Sequence, residues 1–302
     1  MPTEYHFNKA IDCLNSLDLN GTMLGHIDPN ELIFRGVSSA EYELIPKALR
    51  QPLISVKKQL AFECSQLITF LRATDMQGLS IQGDSQGMRN LLMSFQKEFQ
   101  AETLESMPTN WIPHELWSLA GLAQHYDLPT RLLDWTRNPF VAAYFAAEPA
   151  ARSVRKSNNL SNSRFAIWIF RQGDSSVLNT KEDAADGFQP ILSIINVPTA
   201  GIPNLRAQMG LFTMLGPMRP TQSFHVDHPH REDVNKPVQV IGLEKVLEAR
   251  GVSAEVLTKV MLPYSEAPCL LRLLARQNVS GATLYPGYGG AAKLTEERKL
   301  WD

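Results

Sequence analysis

Cysteine is scarce: Cys13, Cys64 and Cys269 are the only three in 302 residues. They lie far apart with no CxxC pair, which gives no support to a disulfide framework or a thiolate zinc site and points to a reducing, cytoplasmic setting. An excess of charge of one sign is lacking too. With a formal charge of −2, the chain has no general attraction for nucleic acid or an anionic membrane, and nonspecific backbone binding is not expected. No apolar run approaches the roughly twenty residues that span a bilayer, and the opening MPTEYHFNKAIDCL has no basic start followed by an apolar stretch. The expectation is a soluble protein with no membrane partner. The GxGxxG and Walker spacings that cradle phosphate, the GxSxG elbow, HExxH and the kinase motifs are missing as well. No repeat of fixed period suggests a solenoid.

What the chain does have is hydrophobic periodicity, with 44% hydrophobic and 20% charged residues, enough for one large domain or two modest ones. Residues 1–30 read as a flanking segment and 31–302 as one domain. A strand is expected from Leu32 to Gly36, then a second extended piece stopped by Pro46. Amphipathic helices are expected from Ser55 to Thr74, from Gly87 to Leu104 and from Pro113 to Tyr126. The last must stop near Asp127, because Leu128 precedes Pro129. Pro139 opens another helix, and residues 151–163 read as a mobile loop. RFAIWIFR is an apolar run suited to a central strand. ILSIINV, LFTML and VQVIGL are strand-like, and helices are expected from Ser253 to Met261 and from Ala267 to Gln277. The whole reads as an α+β fold with a central mixed sheet and flanking helices.

One stretch concentrates polar groups against apolar ones: QHYDLPTRLLDWTRNPF, from Gln124 to Phe140. It reads as a helix–loop–helix junction. Arg131 and Asp134 are three residues apart and free to pair with each other; a buried pair without further hydrogen bonds would cost more than it returns, so Thr130 and Thr136 belong to a rigid polar network. Such a network either braces two helices or floors a pocket.

IFRG, LAQHYDLPTRLLDWTRNPFVAAYFAA, NLRAQMGLFT and LLRLLARQNVSGATLYPGYGG resemble, in order, the signature blocks of the FRG-domain family. That resemblance implies prokaryotic and phage-linked biology, including toxin and defence settings. A further similarity is to ADP-ribosyltransferases, several of which begin their site with an aromatic-Arg-Gly strand that grips NAD. It implies NAD or a related nucleotide as cofactor, a macromolecular target, and an ADP-ribosyltransferase-like fold.

These residues offer the parts such chemistry needs. Arg35 supplies a cation for a pyrophosphate, and Gly36 lets a ligand approach the backbone; the plainer reading of Arg35 is a tie from strand to loop through carbonyl groups. His125, at a helix C-terminus where the dipole is expected to raise its pKa, is read as orienting a ribose hydroxyl, or else as capping the last carbonyls. Tyr126 or Tyr144 is the candidate stacking face, and Thr130 and Arg131 complete the cofactor-binding set. The transferase resemblance wants a late carboxylate where this sequence has Gln208, which binds ribose but is no general base. Asp134 or Glu43 would then have to supply the acid. His225, His228 and His230 beside Asp227 have a metal-compatible spacing, but a solvated loop is the plainer reading and no metal is expected. The glycines of the tail, Gly287, Gly289 and Gly290, read as a tight turn. Three functions stay open: an NAD-using transferase or glycohydrolase, a recognition module that binds nucleotide or protein without turnover, and a structural protein.

Overall fold

The computed structural model describes residues 1–50, 55–100, 111–156, 163–174, 192–215, 242–249 and 251–301. The chain order is β1 (Thr3–His6), α1 (Ala10–Ser16), β2 (Leu32–Val37), α2 (Val56–Met76), α3 (Gln86–Gln100), α4 (Trp117–His125), β3 (Leu132–Thr136), α5 (Pro139–Lys156), β4 (Arg164–Arg171), β5 (Leu192–Ile195), α6 (Pro203–Ala207), β6 (Gly210–Leu215), α7 (Leu243–Ala249), β7 (Leu257–Pro263), α8 (Ala267–Arg276), α9 (Gly281–Leu284) and α10 (Tyr288–Arg298). The strands form one sheet in the order β1-β7-β4-β2-β3-β6-β5. β1 runs parallel to β7 and the other neighbours are antiparallel, so the fold is α+β with a central mixed sheet. β1 pairs along the edge of that sheet, and α1 buries Ala10, Cys13 and Leu14 in the core beside it.

Local signals explain several boundaries. Ser55 caps α2, its hydroxyl accepting the Lys58 N–H, and α4 ends at Tyr126 before Asp127 takes a left-handed φ of 66°. Elsewhere packing overrode the sequence pattern. The Gln124–Phe140 stretch is not a helix–loop–helix junction, because Leu132–Thr136 is a central strand. Its five residues alternate, Leu133 and Trp135 entering one core while Leu132 enters another. The helix expected over Ser253–Met261 is instead strand β7 after a short 3-10 turn; it is apolar on both faces because it is covered on both, and periodicity alone cannot tell such a strand from a buried helix. The piece before Pro46 is irregular, its amides held by the Arg164 carbonyl at Ala40 and the Glu244 carboxylate at Leu44. α5 continues to Lys156, through most of the expected loop's first half, and the glycine tail forms α9 and α10. Residues 157–162, most of VQVIGL and the 225–230 histidine cluster lie outside the described residues.

One face of the sheet carries a continuous core, in which Ile33, Trp135, Trp168, Phe170 and Leu211 meet Leu243 and Leu247 of α7. On the other face the core is divided. α1, α5 and α8 cover β2, β4 and β7 with one cluster, and α2, α3, α4 and α6 cover β3, β5 and β6 with a second. The division falls between β2 and β3.

Candidate functional site

β2 and β3 share a single register pair, Phe34 with Thr136, whereas β2 pairs with β4 over six residues and β3 with β6 over five. Beyond that pair the two strands part, so the middle of the sheet opens where the two helical layers also separate. A cleft of about 460 Å³ fills the opening, within the range of small-molecule sites. Its walls are the end of β2 (Arg35 to Ser38), the end of α4 (Gln124, His125), Asp134 and Thr136 of β3, Phe145 of α5, Asn204 and Gln208, and Tyr285.

Arg35 spans the gap. Its Nη1 donates to the Asp134 carbonyl at 2.6 Å and lies 3.4 Å from Asp134 Oδ2, so the side chain replaces the backbone ladder that the parted strands lack. Arg35 thus bonds a carbonyl, as its plainer reading had it, but ties strand to strand and not strand to loop, and it lines the cleft as well. Its side chain is 15% exposed, and its buried Nε meets no acceptor among the described residues. Burial pulls the Arg35 pKa below the usual guanidinium value; Asp134 opposes that shift, while the like charge of Arg50, on the same cleft wall, adds to it. An arginine stays protonated in any protein, so the consequence is a desolvated cation facing a second one.

Asp134 is 54% exposed and receives Gln124 Nε2 on Oδ2 at 2.8 Å. The Thr130 hydroxyl donates to Gln124 Oε1 at 2.7 Å and accepts the Leu132 N–H at 3.1 Å. His125 stands on the same wall. Its pKa is lowered, not raised as its place at a helix C-terminus suggested, because loss of water around the ring outweighs the charge of Asp134. The imidazole makes no capping hydrogen bond among those described, and its ring meets Tyr126 edge-on at 5.4 Å. Gln208 closes the far end of α6: its Nε2 donates to the Leu284 carbonyl at 3.2 Å, and its own carbonyl accepts the Thr136 hydroxyl at 2.7 Å.

The cleft thus brings together Arg35, Gly36, His125, Asp134 and Gln208. Thr130 stands one hydrogen bond behind Gln124. Tyr126 is 61% exposed and does not line the cleft. Tyr144 does not line the cleft either, since α5 buries it in the core with its hydroxyl on Glu297; Phe145 and Tyr285 are among the rings that do. Glu43 pairs with Lys245 outside the cleft. Gly36 also lets α5 approach the strand: a Cβ there would sit 2.0 Å from the Ala142 carbonyl oxygen of α5.

Arg131 does not pair with Asp134. Its Nε and Nη2 grip the two oxygens of Glu63 at 2.6 and 2.9 Å, with side-chain exposures of 4% and 3%. Trp111 Nε1 and Gln59 Nε2 complete the carboxylate at 2.9 and 2.7 Å. This is a buried brace from α2 to the start of β3, and Arg131 lies outside the cleft lining. Sequence reasoning also passed over Gln124, Arg50, Asn204, Phe145 and Tyr285. Among the described residues, no group of three or more His, Cys, Asp or Glu is placed to hold a metal ion, and no helix is long and apolar enough to cross a membrane.

No curated protein and no solved structure matches the chain. A family model does match, over residues 30–155, and its description is the FRG domain. That span contains β2, α4, β3 and most of α5, with Arg35, Gln124, His125 and Asp134, whereas Asn204, Gln208 and Tyr285 reach the cleft from beyond it. The part of the chain that supplies the charged wall of the cleft is an FRG domain, the family its motifs resemble.

Proposed function

We propose that the cleft binds NAD or a closely related nucleotide and promotes cleavage of its nicotinamide–ribose bond, passing ADP-ribose to a macromolecule or to water. The observation that carries this reading is the Arg35 guanidinium. One nitrogen is fixed on Asp134 and the buried Nε meets no acceptor among the described residues, so the cation is only partly compensated where its 15% exposed side chain reaches the cleft, and a phosphate oxygen suits it there. Arg50 adds a second positive charge, as a diphosphate would require. Phe145 and Tyr285 offer apolar faces to a ring, and Asn204 and Gln208 offer amides to ribose hydroxyls.

In the reaction the C1′–N bond breaks and nicotinamide leaves with the electron pair. The oxocarbenium-like ribose that remains is stabilised by the Asp134 carboxylate. An oxygen or nitrogen nucleophile then bonds to C1′ and gives up its proton. His125, kept neutral by its lowered pKa, is the base on that wall available to receive it. A toxin or defence effector is the setting in which we read this activity. A second reading, binding without turnover, is favoured by one feature: the late position of the site holds Gln208, whose amide is already engaged by the Leu284 carbonyl.

The test is mass spectrometry of nicotinamide release and of ADP-ribosylated protein or RNA. Release by the wild type, lost in Arg35→Ala and in Asp134→Asn, is the expected result. Equal release by all three would overturn the assignment. Thermal stabilisation by NAD without release would leave the second reading standing.

A further inference from the structure

The hydrogen bonds behind Asp134 run in one direction only, and that direction is set by chemistry. The Leu132 backbone N–H can only donate, so the Thr130 Oγ1 at 3.1 Å must accept from it. The Thr130 proton is then directed to Gln124 Oε1 at 2.7 Å, which turns the Gln124 Nε2 toward Asp134 Oδ2 at 2.8 Å. Turning the amide over would bring two acceptor oxygens face to face. Arg35 holds the other side of Asp134 through its carbonyl and Oδ2. Oδ1 receives no hydrogen bond among the described residues, and Asp134 lines the cleft.

We infer that Gln124 and Thr130 are positioning residues: a proton-ordered relay from the backbone of β3 that fixes the Asp134 carboxylate with Oδ1 turned toward a ligand hydroxyl. This rests on the nucleotide reading of the cleft for the identity of the ligand, but not for the order of the relay. The three side chains come from the last turn of α4, the residue after Pro129 and the middle of β3. A tight stop to the helix is what brings them into line. Neither Gln124 nor Thr130 needs to touch the ligand, since each acts through the next.

The experiment is nuclear magnetic resonance of the Gln124 side-chain amide in isotopically labelled protein, assigned by its loss in Gln124→Leu, together with calorimetric titration of NAD and ADP-ribose. Expected for the wild type and for Thr130→Ser, which keeps the hydroxyl, is a dispersed, slowly exchanging amide pair. Thr130→Val should collapse that pair toward the signals of solvated glutamines. On folded protein, NAD and ADP-ribose should bind roughly tenfold more weakly to Thr130→Val and Gln124→Leu, and Thr130→Ser should restore the affinity; Thr130→Val should also unfold at a lower temperature, because it leaves the buried Leu132 N–H unpaired. An amide pair unmoved by Thr130→Val overturns the relay, whatever the protein binds. A responsive amide pair in a protein that binds neither nucleotide supports the relay and removes the nucleotide reading.

Discussion

Replacing Arg131 by methionine tests whether the most polar part of the Gln124–Phe140 stretch is a brace. The Glu63 carboxylate accepts four hydrogen bonds, two from Arg131 and one each from Trp111 and Gln59, in a site almost closed to water. In Arg131→Met the carboxylate keeps its two neutral donors and loses its cation. Removing one partner of a buried ion pair costs about 3–5 kcal/mol, chiefly the expense of the charge left behind. Stabilities of folded domains are about 5–15 kcal/mol, so the variant should fold and its urea midpoint should drop sharply. Adding Glu63→Gln removes the stranded charge and should recover a large part of the loss, giving a coupling of at least about 1 kcal/mol in the double-mutant cycle. On folded protein the affinity for NAD should be unchanged. A cost below about 1 kcal/mol with no coupling, or a specific loss of nucleotide binding, would refute the brace and return Arg131 to the binding site.

Gly36→Ala should destabilise the protein by about 3 kcal/mol or more, at the upper end of overpacking, because the new methyl meets the Ala142 carbonyl and the Ala146 amide nitrogen, which are backbone; an unfolding temperature like the wild type's would show that α5 can move away. His125, with a folded pKa below its ordinary 6.5 through loss of water, binds its proton more readily when unfolded. The stability linked to it is therefore complete above pH 6.5 and declines as pH falls toward the folded value. Its ring resonances should titrate below 6.5, and lower still in Asp134→Asn; a midpoint above 6.5 would contradict the assigned cause. Burial pushes the Glu297 carboxyl up from its ordinary 4.5, partly offset by the Gly281 N–H and the Tyr144 hydroxyl. Its contribution is complete below pH 4.5 and lost as pH rises through the folded value, so Glu297→Gln should flatten the stability profile over that window, and an unaltered profile would refute the shift.

Much of the framework was legible in the sequence because it depends on local signals. The apolar opening of LIFRG, the apolar run RFAIWIFR, the amphipathic pattern from Ser55 and the proline at 139 mark elements that the structure contains. β3 and β7 were misread for a common reason: each is an interior strand that buries apolar residues from both of its faces, Leu132 against Leu133 and Trp135 in one and Leu257 and Met261 against Val260 and Leu262 in the other, so its pattern is that of burial and not of a period. Partner choice was out of reach for a different reason. Arg35 and Asp134 are separated by 99 residues and Arg131 and Glu63 by 68, and which cation meets which acid is decided by sheet order. Glu63 did leave a trace, since it falls on the buried stripe of α2, three residues after Leu60 and four before Leu67. Gln124 left a similar one, being polar in the last turn of a helix whose neighbouring Ala120 and Ala123 are fully buried. Phe145 and Tyr285 left none, because an aromatic residue that lines a cleft has the same pattern as one in a core.

In the function we propose, the parting of β2 from β3 exposes Arg35 to the diphosphate of a nucleotide. A crystal structure of the protein grown with ADP-ribose tests it most directly. Diphosphate oxygens within hydrogen-bonding distance of the Arg35 guanidinium, in the cleft between α4 and α5, are the expected result. ADP-ribose bound elsewhere, or a cleft left empty at saturating ligand, would contradict it.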